Sequence, residues 1–191
     1  MKQLHRIIEG ILFAADKPLS VDALLHMFDE KERPEKIEVQ EALEALVSDY
    51  EGRGIALEKL ASGYQFQVKN DLAQWVCKLW EERPARYSRA LLETLSLIAY
   101  RQPITRGEIG EIRGVTVSSQ IMKTLLERKW VRVIGHKEVP GKPGLYATTK
   151  QFLDDFGLTK LSELPPLSEI KNLEQMGEQL QENLEQDENV S

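Results

Sequence analysis

The chain has 191 residues, 41% apolar and 29% charged, which is the composition of a folded globular protein. No apolar run reaches the roughly 18 residues a membrane-spanning helix needs, and the single cysteine excludes an internal disulfide and a cysteine-rich metal site. The formal charge of −6 is uneven: residues 1–80 carry −4, residues 88–150 carry +6 and residues 151–191 carry −8, so only the middle block attracts an anionic partner.

The opening stretch, MKQLHRIIEGILFAA, starts basic and ends apolar, as an export leader does. Glu9 and Asp16 interrupt it, however, and its apolar residues recur at helical spacing. It therefore reads as a folded helix over 3–15, and the cytoplasm is the expected location. Pro18 ends that helix, and Ser20 is placed to cap a second over 20–28. After the polar loop DEKERPEK, a third helix is expected over 34–51. Val39, Ala42, Leu43, Leu46, Val47 and Tyr50 form its apolar stripe, and Gly52 and Gly54 end it. Two β-like runs, 55–61 and 64–69, meet at Ser62-Gly63 as a hairpin. Asp71 is expected to cap a last helix reaching Trp80. The segment EERPARY (81–87) reads as a linker, with Pro84 keeping either helix from extending through it.

The order then repeats. Helices are expected over 88–100, over 105–113 ending at Gly114, and over 118–129 with Ile121, Leu125 and Leu126 inward. A strand over 131–136 and a run over 145–148 flank the turn PGKPG, and a helix over 150–156 closes the unit at Gly157. From Leu158 onward the chain is broken by proline, acidic and low in complexity. Leu173, Met176, Leu180 and Leu184 share one potential helical face there, yet charge and the lack of aromatics favour a disordered tail.

The segments LFAADKPLSVDALLHMF (12–28) and LIAYRQPITRGEIGEIR (97–113) have the same layout. Pro18 and Pro103, and likewise Ser20 and Thr105, are 85 residues apart. A repeat of that size indicates two copies of one small domain rather than a solenoid. The expected fold class is α+β, mainly helical: tandem winged-helix domains, each of three helices, a β-hairpin wing and a closing helix. The expected boundaries are 1–80, linker 81–87, 88–158 and tail 159–191.

Catalytic readings fail one by one. The segment GHKEVPGK (135–142) places five residues between its glycines, and Pro143 follows the lysine. A phosphate-binding loop needs four, then Ser or Thr. His5, His26 and His136 show no ligand spacing with Cys, Asp or Glu. Ser118 stands where a helix cap is wanted, which accounts for it without a nucleophile's role near His136. Glu93, Glu108 and Glu111 are spaced as solvated helix charges. No cofactor, metal or small-molecule substrate is expected.

Two binding readings stay open. In a helix-turn-helix the third helix reads the major groove. In the first copy that helix carries Glu38, Glu41, Glu44, Asp49 and Glu51, a face that repels phosphate. In the second, Ser118, Ser119, Gln120 and Lys123 offer polar contacts, and Arg106, Arg113, Arg128, Lys129, Arg132, Lys137 and Lys142 add charge. Lys123, Arg128, Lys137 and Lys142 are the candidates for weak, nonspecific DNA contact. A transcription regulator reading DNA with this unit is the alternative to an adaptor. Protein docking rests on the first helix of each copy. From Ile7 to Ala15 that helix is apolar almost all round, with Ile8 and Leu12 on its broad face and Phe13 nearly opposite. In the second copy Leu97 points away from the main face, with Tyr100 beside it. Ile8, Leu12, Phe13, Leu97 and Tyr100 are the candidate partner contacts.

LLETLSLIAYRQPITRGEIGEIRGV (91–115), TLLERKWVRVIGHKEVPGKPGLYATTKQFLDDFGL (124–158) and LSELPP (161–166) resemble the bacterial segregation and condensation protein B family, densely over 91–166 and more loosely over 1–80. Trp130 departs from the family's usual small or branched apolar residue and is expected to alter only a local surface. The resemblance implies a non-enzymatic subunit of the bacterial SMC–kleisin condensin, acting in chromosome condensation and partition at cell division. It implies a homodimer formed through the N-terminal domain, binding to the central segment of the kleisin (segregation and condensation protein A), and through it the SMC ATPase. It also implies a cytoplasmic, nucleoid-associated protein without membrane contact.

Overall fold

Local signals fix most helix ends in the computed structural model, which describes residues 2–79 and 87–166. Helices α1 (Lys2–Ala14), α2 (Val21–Leu25) and α3 (Lys36–Asp49) precede a hairpin of β1 (Ile55–Lys59) and β2 (Tyr64–Val68). Ser20 caps α2 by accepting from the Ala23 N–H at 3.1 Å. The Glu38 carboxylate accepts from the Glu35 N–H at 2.8 Å and closes the start of α3. One apolar core holds the three helices to the hairpin: Ile8, Leu12, Leu24, Val39, Leu43, Leu46 and Leu57 are all buried in it. Val39, Ala42, Leu43 and Leu46 of the expected α3 stripe face inward, whereas Val47 is exposed.

The expected helix after the hairpin takes another form. A 3-10 turn (Asn70–Leu72), the single-turn helix α4 (Ala73–Val76) and a second 3-10 turn (Cys77–Leu79) replace it. Asp71 lies inside the first turn rather than capping a helix. Trp80 and residues 81–86 of the expected linker lie outside the described residues, as does the expected tail from residue 167.

The second half runs α5 (Arg89–Arg101), β3 (Ile104–Thr105), α6 (Arg106–Arg113), α7 (Ser119–Glu127), β4 (Val131–His136), β5 (Gly144–Thr148) and α8 (Lys150–Asp155). Each helix has a side-chain cap: Ser88 for α5, Thr105 for α6, Ser118 for α7 and Thr149 for α8. Left-handed Gly114 (φ 71°) ends α6. Met122 and Leu125 are the buried residues of α7, while Leu126, expected inward, is exposed. Residues 160–166 carry one 3-10 turn, Leu161–Glu163.

The strand β3 was not expected. It makes the second sheet three-stranded, in the order β3-β5-β4, all antiparallel, with Ile104 opposite Tyr146. The first half holds the corresponding element in minimal form, a bridge between Leu19 and Tyr64 with reciprocal hydrogen bonds of 2.9 and 2.8 Å. Leu19 and Ile104 are themselves 85 residues apart, so the repeat extends from helix order to strand pairing.

The bridge depends on Gly63. Its φ is +148°, and a β-carbon there would lie 2.2 Å from both the carbonyl carbon and the oxygen of Leu19. Neither backbone atom can give way without breaking the bridge. Gly63→Ala is expected to destabilise the first half by about 2–3 kcal/mol in urea unfolding. At the end of α7 the reverse holds. Lys129 adopts φ 57°, the Lys129 N–H bonds the Leu126 carbonyl and the Trp130 N–H bonds the Leu125 carbonyl. That is a Schellman ending built on lysine where glycine is preferred. Lys129→Gly is expected to raise stability by about 1 kcal/mol, read as a higher melting temperature.

Candidate binding surfaces

A three-helix unit of this size covers only one side of its first helix, so burial sorts the expected contact residues of α1. Ile8 and Leu12 are fully covered by the core of their own half. They are therefore corrected from partner contacts to core residues: the face that contains them is taken by α3 and the hairpin. Phe13 is 76% exposed, and Ile7, Gly10 and Ala14 are exposed on the same helix. In α5, Leu97 and Tyr100 are half-buried, between Ile98 and Ala99 in the core and solvent-facing Ser96 and Arg101. Phe13 is the one exposed residue of the five.

Other apolar side chains stand out in the second half. Ile112 (55% exposed) lies on α6 and Val115 (56% exposed) just beyond it, while Val133 and Ile134 project from β4 and Val139 from the wing turn. A bulge between Val133 and Gly135 shifts the register of β4 against β5. Ile109 and Ile112 lie three residues apart on α6. Only the packing shows that Ile109 is buried and Ile112 is not.

Several basic residues of the second half have partners within the molecule. Lys137 Nζ lies 2.6 Å from Glu108 Oε1, Lys123 lies 3.7 Å from Glu127, and Arg113 lies 3.0 Å from Glu93. Arg106 donates twice to the Val117 carbonyl, at 2.6 and 3.0 Å. The Arg128 guanidinium stacks on Tyr87 at 4.9 Å and on Trp130 at 5.5 Å. Among the described residues, Lys142, at the wing turn, is the one of the four candidate DNA contacts that makes no ion pair or ring contact. These contacts do not cancel the net charge of the block, and Arg101, Lys129, Arg132, Lys142 and Lys150 stay exposed.

Trp130 corrects a further expectation. It is buried, not a feature of the surface. Its ring packs edge-on against Tyr87 (5.1 Å) and Phe156 (5.3 Å), and its indole N–H donates to Asp155 at 2.6 Å. Beside it the two halves meet. The Ser62 N–H donates to Asp154 Oδ1 at 2.9 Å and the Ala61 N–H to the Leu158 carbonyl at 3.1 Å. The cavity next to this contact measures about 760 Å³ and includes Asp16, Gln65, Trp130 and Phe156 in its lining. Its carboxylates at Asp154 and Asp155 already hold protein donors. Among the described residues no cluster of His, Cys, Asp and Glu is placed to hold a metal ion, and no helix is long and apolar enough to cross a membrane.

Glu108 is the electrostatic centre of the second half. Its carboxylate takes the Lys137 ammonium and accepts from both the N–H and the hydroxyl of Thr105, each at 2.8 Å. The Lys137 hydrogen bond and then the two Thr105 bonds hold its carboxyl at about 2, against an ordinary 4.5. A lowered folded-state value means the stabilisation is complete above about pH 4.5 and is lost as pH falls toward 2. Glu93, lowered by its Arg89 and Arg113 hydrogen bonds, acts in the same direction. The unfolding midpoint should fall with acid through this window, and Glu108→Gln should flatten that slope while leaving the smaller Glu93 component.

Residues 6–167 match the family model described as segregation and condensation complex subunit ScpB. The segregation and condensation protein B homolog of Coxiella burnetii is 53% identical over 178 residues, covering 91% of this chain and 85% of that protein. Segregation and condensation protein B of Syntrophotalea carbinolica is 43% identical over 180 residues, covering 93% and 89%. The crystal structure of ScpB from Mycobacterium tuberculosis is 34% identical and covers 83% of this chain and 97% of that one, with a TM-score of 0.37.

Proposed function

This chain belongs to the segregation and condensation protein B family, and from that premise we propose that it is a non-enzymatic adaptor in a bacterial SMC–kleisin condensin. It pairs with a second copy through its first half, binds the central segment of the kleisin, and reaches the SMC ATPase through that kleisin. In this reading it consists of two winged-helix domains, works in the cytoplasm at the nucleoid, and supports chromosome condensation and partition.

The single observation that carries the docking role is Phe13. A phenylalanine three-quarters exposed on a helix whose opposite face is fully packed loses apolar area to water unless a partner covers it. For the kleisin segment, exposed Ile112 and Val115 of the second half offer more area than half-buried Leu97 and Tyr100. The regulator reading is weaker, because Lys137 would have to leave Glu108 and Arg128 its aromatic stack to meet phosphate.

Phe13→Glu is expected to weaken self-association about tenfold or more in sedimentation equilibrium, with an unchanged circular dichroism spectrum. Unchanged association would remove Phe13 from the interface. Purified kleisin central segment should still bind the monomeric variant.

A further inference from the structure

We propose that Asp154 is a latch that fixes the second half on the first, by seating its carboxylate, together with the Leu158 carbonyl, on the turn of the first hairpin. Local order builds both sides of it. The turn between β1 and β2 closes on itself through Leu60 and Gly63, whose N–H groups bond each other's carbonyls at 2.7 and 3.3 Å. The N–H groups of the two central residues, Ala61 and Ser62, then need acceptors from elsewhere. The second half supplies both: Asp154 Oδ1 accepts from Ser62 at 2.9 Å and the Leu158 carbonyl from Ala61 at 3.1 Å.

The accepting side is the end of α8. There the Leu158 N–H bonds the Leu153 carbonyl and the Gly157 N–H bonds the Asp154 carbonyl, with Gly157 at φ 68°. This Schellman ending holds Leu158 in fixed relation to Asp154 about one helical turn earlier. Two acceptors placed as a pair meet two donors that are neighbours in the chain. The turn is held as firmly, because Gly63 lies against Leu19 with no room for a side chain.

Asp154 is one of the few polar residues that are buried. A carboxylate withdrawn from water needs a donor, and a bond to an ionised acceptor is the stronger kind. Its donor belongs to the other half. The next carboxylate, Asp155, holds Trp130 and Gln151 of its own half instead.

A shared apolar core would hold the halves together whatever Asp154 did. The core of the first half contains no side chain of the second. Trp130 packs on Tyr87 and Phe156, both of its own half. Beside the latch, the cavity of about 760 Å³ lies between Asp16, Pro18 and Gln65 of the first half and Leu92, Trp130 and Gln151 of the second. The latch therefore governs how the halves are arranged. A polypeptide that touches both halves meets a fixed frame, a consequence that rests on the docking role proposed above, whereas the latch itself does not.

Amide hydrogen exchange of the full chain, read residue by residue by NMR, tests the latch without a partner. The Ala61 and Ser62 amides are expected to be protected in the native sequence. Asp154→Ala should speed exchange at both about tenfold or more, while the Leu19, Leu60 and Gly63 amides and the circular dichroism stay unchanged. Asp155→Ala should leave Ser62 protected. Spin labels on exposed Cys77 and on a Lys123→Cys variant, with labelled chain diluted in unlabelled, should give one narrow distance, which broadens when Asp154→Ala is added. Exchange of Ala61 and Ser62 at the free-amide rate in the native sequence overturns the latch, whether or not the variant folds. So does an unchanged Ser62 rate, or an unchanged distance, in Asp154→Ala.

Discussion

The packing of α1 against α3 is the constraint from which the surfaces of the first half follow. Ile8 and Leu12 enter a core with Val39, Leu43 and Leu46, Leu4 and Ile11 pack partly against it, and Ile7, Gly10, Phe13 and Ala14 stay exposed. The same packing leaves Phe13 outside and sets the first turns of α1 beside the acidic side of α3. A helix that is apolar on nearly every side cannot be satisfied by a domain that covers one of them. That mismatch leaves Phe13 exposed on α1.

The second half is organised by polar contacts as much as by its core. Glu108 closes the N-terminus of α6 through Thr105 and reaches across to Lys137 at the base of the wing. One carboxylate thereby caps a helix and holds a hairpin to it, two tasks that each favour its charged form. Arg128 lies over Tyr87 and Trp130, and Trp130 reaches Asp155. Some of the cations that make this block basic are thus components of its architecture, while Arg101, Lys129, Arg132, Lys142 and Lys150 remain exposed.

The two halves are versions of one design with different emphasis. Leu19 and Ile104 occupy equivalent places, yet the first makes a bridge and the second a strand. In the first half the glycine turn at residue 63 lies directly on Leu19, so close that a side chain has no room. In the second, β5 pairs with both β3 and β4.

Most of the helices, the caps at Ser20 and Ser118, the hairpins and the 85-residue repeat were legible in the chain alone. They depend on periodicity and on contacts within a few residues. The candidate surfaces were legible only in part. Apolar faces could be found on helix one, but Ile8, Leu12 and Phe13 have the same chemistry, and long-range packing decides which is core and which is surface. The same holds for Ile109 against Ile112 on α6, and for the internal partners of Arg128 and Lys137. Strand β3 is two residues long and carries no pattern of its own, so it exists only because β5 is beside it. Local order follows from neighbours in sequence, whereas exposure and charge pairing belong to residues brought together from far apart.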